Sequence, residues 1–316
     1  MKIAFLGNFS IDYCSEVHYA KTLRSLGHEV IELQETIVRT EQILDKALDS
    51  DIFVWVHSHG FNNPGTIKMA TVLNVLKANK IPSVAYHLDL YMGLERWKDY
   101  ENSEYMQVEY FFTVDKLMAD WFNQNTKVKG IFLPAGVFDQ ECYIHPDYDP
   151  YNFENDIIFV GSKGYHPEYP YRPQLVDFLR QEYGQRFIHV GGDGDTGTLR
   201  GDALNRIYSK SKIAIGDSLN LNFNYPYYSS DRLFEGCGRN GFQIYPDIKG
   251  LDKYFEDKEE IVFYKHGDLN DLKEKIDYYL ENDALREKIR FAGHERTKKE
   301  HTYLNRWQFI LEKVNE

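Results

Sequence analysis

The sequence predicts an α/β protein of two Rossmann-like, doubly wound domains facing a cleft. Three observations carry this reading. Short apolar runs recur between amphipathic stretches. The runs are near-continuous rather than alternating, as parallel strands covered by helices on both faces require. The series also restarts after an irregular connection that carries prolines, carboxylates and aromatics.

The first strand is read at Ile3–Gly7. SEVHYAKTLRSLGHEV follows, with Val17, Ala20, Leu23 and Leu26 at helical spacing and Gly27 closing the helix. The strand Glu29–Leu33 completes a βαβ unit. Further strands at Asp51–His57, Pro82–Leu88, Tyr110–Asp115 and Gly130–Pro134 alternate with helical stretches that include Thr66–Asn79 and Lys116–Asn125. After LPAGV the periodicity lapses through DQECYIHPDYDPYNFEN, read as the inter-domain connection. Strands then resume at Asp156–Val160, Arg186–Gly191, Lys212–Gly216, Gly241–Tyr245 and Glu260–Tyr264. From Asp268 to Glu316 the pattern is helical, with Leu272, Ile276, Tyr279, Leu285, Ile289 and Phe291 recurring among charges. Gly293 is read as a break before a final helix carrying Trp307 and Ile310.

Composition narrows the class. With 316 residues, 42% of them hydrophobic, and a mean hydropathy of −0.54, the chain reads as a soluble globular protein of two domains. No run approaches the ~18 apolar residues of a membrane span, and the start turns polar at Asn8, too early for a signal peptide. A cytoplasmic protein is expected. Cys14, Cys142 and Cys237 lack CxxC spacing, so neither a disulfide framework nor a structural zinc site is indicated. With 49 Asp+Glu against 37 Lys+Arg the net charge is −12, which disfavours a general nucleic-acid binder while leaving room for a local basic groove.

Ligands of open parallel sheets bind beyond the carboxyl ends of the strands, so function is sought in the strand-to-helix loops. Gly7-Asn8-Phe9-Ser10 leads into a helix and offers amides to an anion or a sugar hydroxyl, although an ordinary tight turn has the same composition. A full GxGxxG is missing, and the acids of GGDGDTG would repel a pyrophosphate; a dinucleotide-dependent oxidoreductase is disfavoured. Gly161-Ser162-Lys163-Gly164 lets backbone approach a phosphate, with Lys163 and Arg172 as neutralising charges; a solvated turn is the competing reading. In SDRLFEGCGRNGFQIYPD a helix opens at Ser230 or Asp231, capped by either side chain, and puts Arg232 and Glu235 on one face. A carboxylate there suits the vicinal hydroxyls of a ribose and an arginine suits phosphate, but a surface ion pair has the same spacing.

The run from Asp231 to Asp247, with LDKYFEDKEEIVFY, Leu272–Leu280 and the ending IRFAGHERTKKEHTYLNRW, resembles the carboxyl-terminal domain of CgeB-like glycosyltransferases. The opening strand, SEVHYAKTLRSLGHEV and LPAGV are similar to features shared across GT-B glycosyltransferases. This resemblance implies a GT-B fold, with residues 1–140 as the acceptor-side domain, residues 141–297 as the nucleotide-sugar domain, and a helix at 298–316 crossing back to the first. It implies a UDP-sugar donor, an acceptor hydroxyl, no cofactor and no metal. It places Glu235 on the donor ribose and Arg232, Lys163 and Arg172 on the diphosphate. Many retaining members carry a second glutamate eight positions earlier; here that position is Tyr227, which leaves the stereochemical outcome open.

Two further groups are candidates. WVHSHG and YHLD end strands of the first domain, and His57 or His87, oriented by Asp89, is expected to act as general base. Convergence of His57, His59, His87 and Asp89 on a metal, or simple burial of the histidines, competes with this. Tyr165, Tyr169, Tyr171, Tyr225, Tyr227 and Tyr228 form aromatic clusters; Asn8, Tyr227 and Tyr228 are candidate acceptor or sugar contacts, against loop packing. The acceptor class stays open among glycan, protein, small molecule and modified DNA base. Three other activities remain: a DNA glycosyltransferase acting on hydroxymethylated pyrimidine, a UDP-sugar epimerase, and a non-catalytic nucleotide-sugar-binding protein.

Overall fold

A computed structural model describes residues 1–56, 65–100, 103–164 and 166–316. The chain divides into two units, Met1–Pro134 with Tyr303–Glu316, and Ala135–Thr302. The first contains β1 (Lys2–Gly7), α1 (Ser15–Ser25), β2 (Glu29–Gln34), α2 (Thr40–Ala47), β3 (Ile52–Trp55), α3 (Met69–Ala78), β4 (Ser83–His87), α4 (Trp97–Tyr100), β5 (Tyr110–Thr113), α5 (Lys116–Asn125) and β6 (Lys129–Phe132). Among the described residues its sheet runs β2-β1-β3-β4-β5-β6, with every pairing parallel. Strands β3, β4 and β5 are buried at every position, which is why their sequences are near-continuous apolar runs rather than alternating ones. Asp115, just beyond β5, caps α5 by accepting from the amides of Leu117 at 3.0 Å and Met118 at 3.3 Å. The short helix α2 escapes the sequence pattern, because TEQILDKA buries only Thr40, Ile43 and Ala47.

The second unit contains β7 (Asn155–Val160), α6 (Tyr171–Tyr183), β8 (Phe187–Val190), α7 (Gly201–Ser209), β9 (Ser211–Ile215), α8 (Arg232–Gly238), β10 (Gln243–Pro246), β11 (Val262–Tyr264), α9 (Leu269–Glu281) and α10 (Asp283–Glu300). Its parallel sheet has the order β11-β10-β9-β7-β8. The last helix, α11 (Tyr303–Asn315), belongs to the first unit. Its Trp307 is fully buried, with ring centroids 5.4 Å from Tyr19 and 6.3 Å from Phe5, and Arg306 donates from Nε to the Pro134 carbonyl at 2.8 Å.

Two expectations are corrected. Gly293 does not break the helical region; it lies inside α10, where a Cβ would come within 2.3 Å of the Glu260 carbonyl oxygen. The glycine is there for close approach, and the breaks fall at Asn282 and at His301–Thr302 instead. Nor does a side chain cap α8: Asp231 occupies the N-cap position without a side-chain bond, and Ser230 turns its hydroxyl to the Asp217 carbonyl at 3.2 Å.

In both sheets the chain winds outward in opposite directions from an interior strand pair, β1 and β3 in the first, β7 and β9 in the second. A crevice opens at such a reversal, beyond the carboxyl ends of the pair. Asn8 follows β1; Gly161 follows β7 and Gly216 follows β9.

Candidate functional site

The crevice of the second unit is built around Gly161, whose φ of +140° is a conformation that side-chain-bearing residues rarely adopt. A Cβ there would lie 2.8 Å from Nε of Arg232 and 3.1 Å from its Cζ, so the guanidinium lies directly over the glycine. The Gly161 carbonyl is held by His189 Nε2 at 2.7 Å, from the neighbouring strand β8. Arg232 is half-buried and makes no hydrogen bond or ion pair to the described residues. Burial pushes its pKa down, but the charges of Asp231 and Glu235 more than compensate and hold it raised. A half-buried, unpaired cation over a bare stretch of backbone is suited to a phosphate.

Glu235 stands one helical turn further along α8 and is half-buried. Burial and then the Asp231 carboxylate raise its pKa, against the opposing charges of Arg239 and Arg232. Of the donor-side residues expected from sequence, Arg232 and Glu235 are brought together with Gly161 and the half-buried Ser162.

The structure sets the remaining two in different surroundings. Lys163 directs its ammonium to Asp177, and the amides of Lys163 and Gly164 donate to one oxygen of Asp193 at 2.8 and 3.4 Å. A carboxylate of the protein thus occupies the place expected for a phosphate oxygen on this turn. Arg172 is 4% exposed and its Nε pairs at 2.8 Å with Asp217, which is 0% exposed beyond the end of β9. Removing either partner would strand a buried charge, so this pair is a support beneath the site.

Asp217 also accepts from the Tyr169 hydroxyl at 3.0 Å, and the same hydroxyl contacts His266 Nε2 at 2.8 Å. Tyr171 meets the Tyr264 hydroxyl at 3.1 Å. These tyrosines pack the floor of the β9–α8 loop and present no open face. That loop contains Asn222, Phe223 and Tyr227, all non-glycine residues with φ near +60°, and such strain gathers at functional sites. Tyr227 is half-buried against Gly250, whose added Cβ would lie 2.1 Å from the ring, while Tyr228 is buried. Phe223, exposed at the surface, borders a cavity of about 420 Å³ with Lys265, His266 and Asp268.

In the first unit, the Asn8 side chain accepts from the Ser10 amide at 3.1 Å and hydroxyl at 2.6 Å and from Gln34 at 3.2 Å, fixing the turn after β1. His87 ends β4 at 2% exposure, with ring centroids 4.3 Å from Tyr91 and 5.9 Å from Tyr105, the surroundings of a packed histidine. Asp89, two residues on, is half-buried. His57, His59 and Tyr165 lie outside the described residues. Among the described residues no group of three His, Cys, Asp or Glu side chains is arranged to hold a metal, and no helix is long and apolar enough to cross a membrane.

Sequence reasoning missed Arg239 and its partners. Arg239 is 2% exposed and contacts Glu141, Asn205 and, at 3.6 Å, Glu235. Its spacing, four residues after Glu235 on one helix, was the available signal.

The comparisons with known proteins follow the same lines. Residues 172–312 match the model of the glycosyl transferase-like family. The sequence matches no curated protein. Among solved structures, an alpha-glucosyltransferase in complex with UDP and a 13-mer DNA containing a HMU base has a TM-score of 0.69 at 13% identity, covering 100% of this chain and 99% of the other. HepE of Anabaena, in complex with UDP and glucose, has a TM-score of 0.66 at 13% identity over 100% and 99% of the two chains. A glycosyltransferase from Rickettsia africae ESF-5 has a TM-score of 0.59 at 15% identity over 99% and 98%. The chain has the GT-B fold of these enzymes, and the match to the glycosyl transferase-like model falls on its residues 172–312.

Proposed function

We propose that the protein is a glycosyltransferase that moves a sugar from a UDP-sugar to an acceptor hydroxyl, with the second unit holding the donor. The observation that carries this reading is the unpaired Arg232 guanidinium lying over Gly161 at the β7/β9 crevice, with Glu235 one turn beyond it. Arg232 faces the diphosphate, whose charge grows as the glycosidic bond breaks, so a fixed cation there stabilises the transition state more than the bound donor. Glu235, ionised, accepts from the vicinal hydroxyls of the ribose. The Lys163 turn, held by Asp193 through its amides and by Asp177 through its ammonium, and the Arg172–Asp217 pair keep the loops beneath the diphosphate in shape. We assign the acceptor to the first unit, where Asn8 and Asp89 stand at the carboxyl ends of β1 and β4. The motifs around Asp231–Asp247 and the terminal His-Thr-Tyr segment favour a CgeB-like member of the group.

A second reading of the acceptor, a hydroxymethylated pyrimidine in DNA, is supported by the whole-chain likeness to the DNA-bound alpha-glucosyltransferase, while the charge of −12 weighs against it. Incubation with radiolabelled UDP-sugars tests both, with glycan acceptors in one set and hydroxymethylated or unmodified DNA in another. Release of UDP with label on an acceptor is expected, and Arg232→Ala should lower turnover more than donor affinity. Label appearing only in an isomerised UDP-sugar would identify an epimerase instead; binding of UDP without turnover on any acceptor would favour a sensor.

A further inference from the structure

Glu235 sits in a group of charges that the transfer reaction does not itself require. On its own helix and its caps are Asp231, Arg232 and Arg239; Tyr208 faces it from α7 and Glu141 from the short 3-10 segment Asp139–Glu141, while Tyr245 of β10 lies against Arg232, and His294 of α10 meets the Gly238 carbonyl through Nδ1 at 3.0 Å. Arg239 is the centre of this group. One arm, Nη1, donates to Asn205 Oδ1; the other, Nη2, contacts Glu141 Oε2 closely and stands 3.6 Å from Glu235 Oε1. That last distance is too long for a hydrogen bond but within the ~4 Å reach of an ion pair. Asn205 is itself fixed by donating to the carbonyls of Glu141 at 2.8 Å and Tyr143 at 3.1 Å, so the fork cannot swing freely.

We propose that Arg239 is a positioning residue of the donor site: a single buried guanidinium, shared unequally between Glu141 and Glu235, that keeps the Glu235 carboxylate ionised and in place for the ribose hydroxyls. This rests on the reading of Glu235 as the ribose acceptor. Arg239 touches neither donor nor acceptor. The arrangement has a chemical logic. A carboxylate drawn out of water next to Asp231 tends to take up a proton, and a protonated Glu235 could accept from only one ribose hydroxyl with full strength. Arg239 opposes that tendency, and Glu141 limits how far it does so by taking most of Nη2. Burial lowers the pKa of Arg239 itself, but the Glu235 and Glu141 charges outweigh it, so the cation persists.

The shared cation predicts opposite responses from its two neighbours. Because ionised Glu235 is the binding form, affinity for UDP falls on acidification through the pKa of Glu235. Arg239→Gln removes the cation, so this acid limb should move to higher pH by about one unit or more. Glu141→Gln leaves the cation wholly to Glu235 and removes a negative charge, so the limb should move to lower pH. Arg239→Lys keeps the charge and should return the limb most of the way. UDP affinity is measured calorimetrically from pH 5 to 8 for each variant, with Glu235→Gln supplying the profile due to titration of the phosphates alone. If Arg239→Gln fails to fold, Glu141→Gln still decides. Unmoved limbs in the folded variants, with Glu235→Gln weakened, would overturn the role of Arg239 and leave the ribose assignment standing. If Glu235→Gln binds UDP like the parent throughout, the ribose assignment itself falls.

Discussion

Which cations already have partners decides what each charged residue at the crevice can do. Lys163 and Arg172 looked like phosphate ligands because of their place after β7, but their partners lie far along the chain. Asp177 is 14 residues from Lys163, and Asp217 is 45 from Arg172. No local pattern shows such pairings. Arg232 and Glu235, by contrast, were legible because their relation is the spacing of one helical turn. The same chemistry of burial makes His266 a reporter of the folded site. Its pKa is pushed down to about 4 by burial, with the Asp217 charge opposing. Between that value and the ~6.5 of an exposed histidine the unfolded chain binds the extra proton, so stability rises with pH across this window and is lost on acidification through it. Denaturant titrations at pH 7 and pH 4.5 should show this loss, on the order of 2–3 kcal/mol. His266→Gln should flatten that part of the profile; an unchanged slope would place the titrating group elsewhere.

At the scale of elements, the strands were readable almost to the residue because buried parallel strands are apolar on both faces. Helix ends were less so. Gly293 illustrates the reason: a glycine in a charged helical stretch reads as a break, yet its cause is the Glu260 carbonyl pressed against α10. Arg290, on the same helix, threads into the unit and donates to the carbonyls of Asn240 at 2.6 Å, Ser211 at 2.8 Å and Lys212 at 2.9 Å. Neither contact has a signature in the local sequence. Gly293→Ala therefore sets two effects against each other. Alanine favours the helix by ~1 kcal/mol, whereas an added methyl 2.3 Å from a backbone oxygen forces α10 away at a cost of about 1–3 kcal/mol. The second should win, and Gly293→Ala should melt at a lower temperature than the parent; a higher melting temperature would show that α10 yields without loss.

For the whole molecule, the repeated αβ series was enough to predict two parallel sheets, and each sheet's point of reversal locates its crevice without reference to any ligand. The composition could not show which crevice holds the donor. We assign it to the second from particular side chains, Arg232 over Gly161 and Glu235 beyond it, in the unit where most of the match to the glycosyl transferase-like model falls. The donor assignment therefore stands on Glu235 binding the nucleotide, and titration calorimetry of UDP against the parent and Glu235→Ala tests that most directly. Loss of hydrogen bonds to a charged acceptor should weaken binding by about 1.5–3 kcal/mol, roughly tenfold or more in Kd, with the melting temperature preserved. Equal affinity of the two proteins for UDP would contradict the assignment of the donor to this crevice.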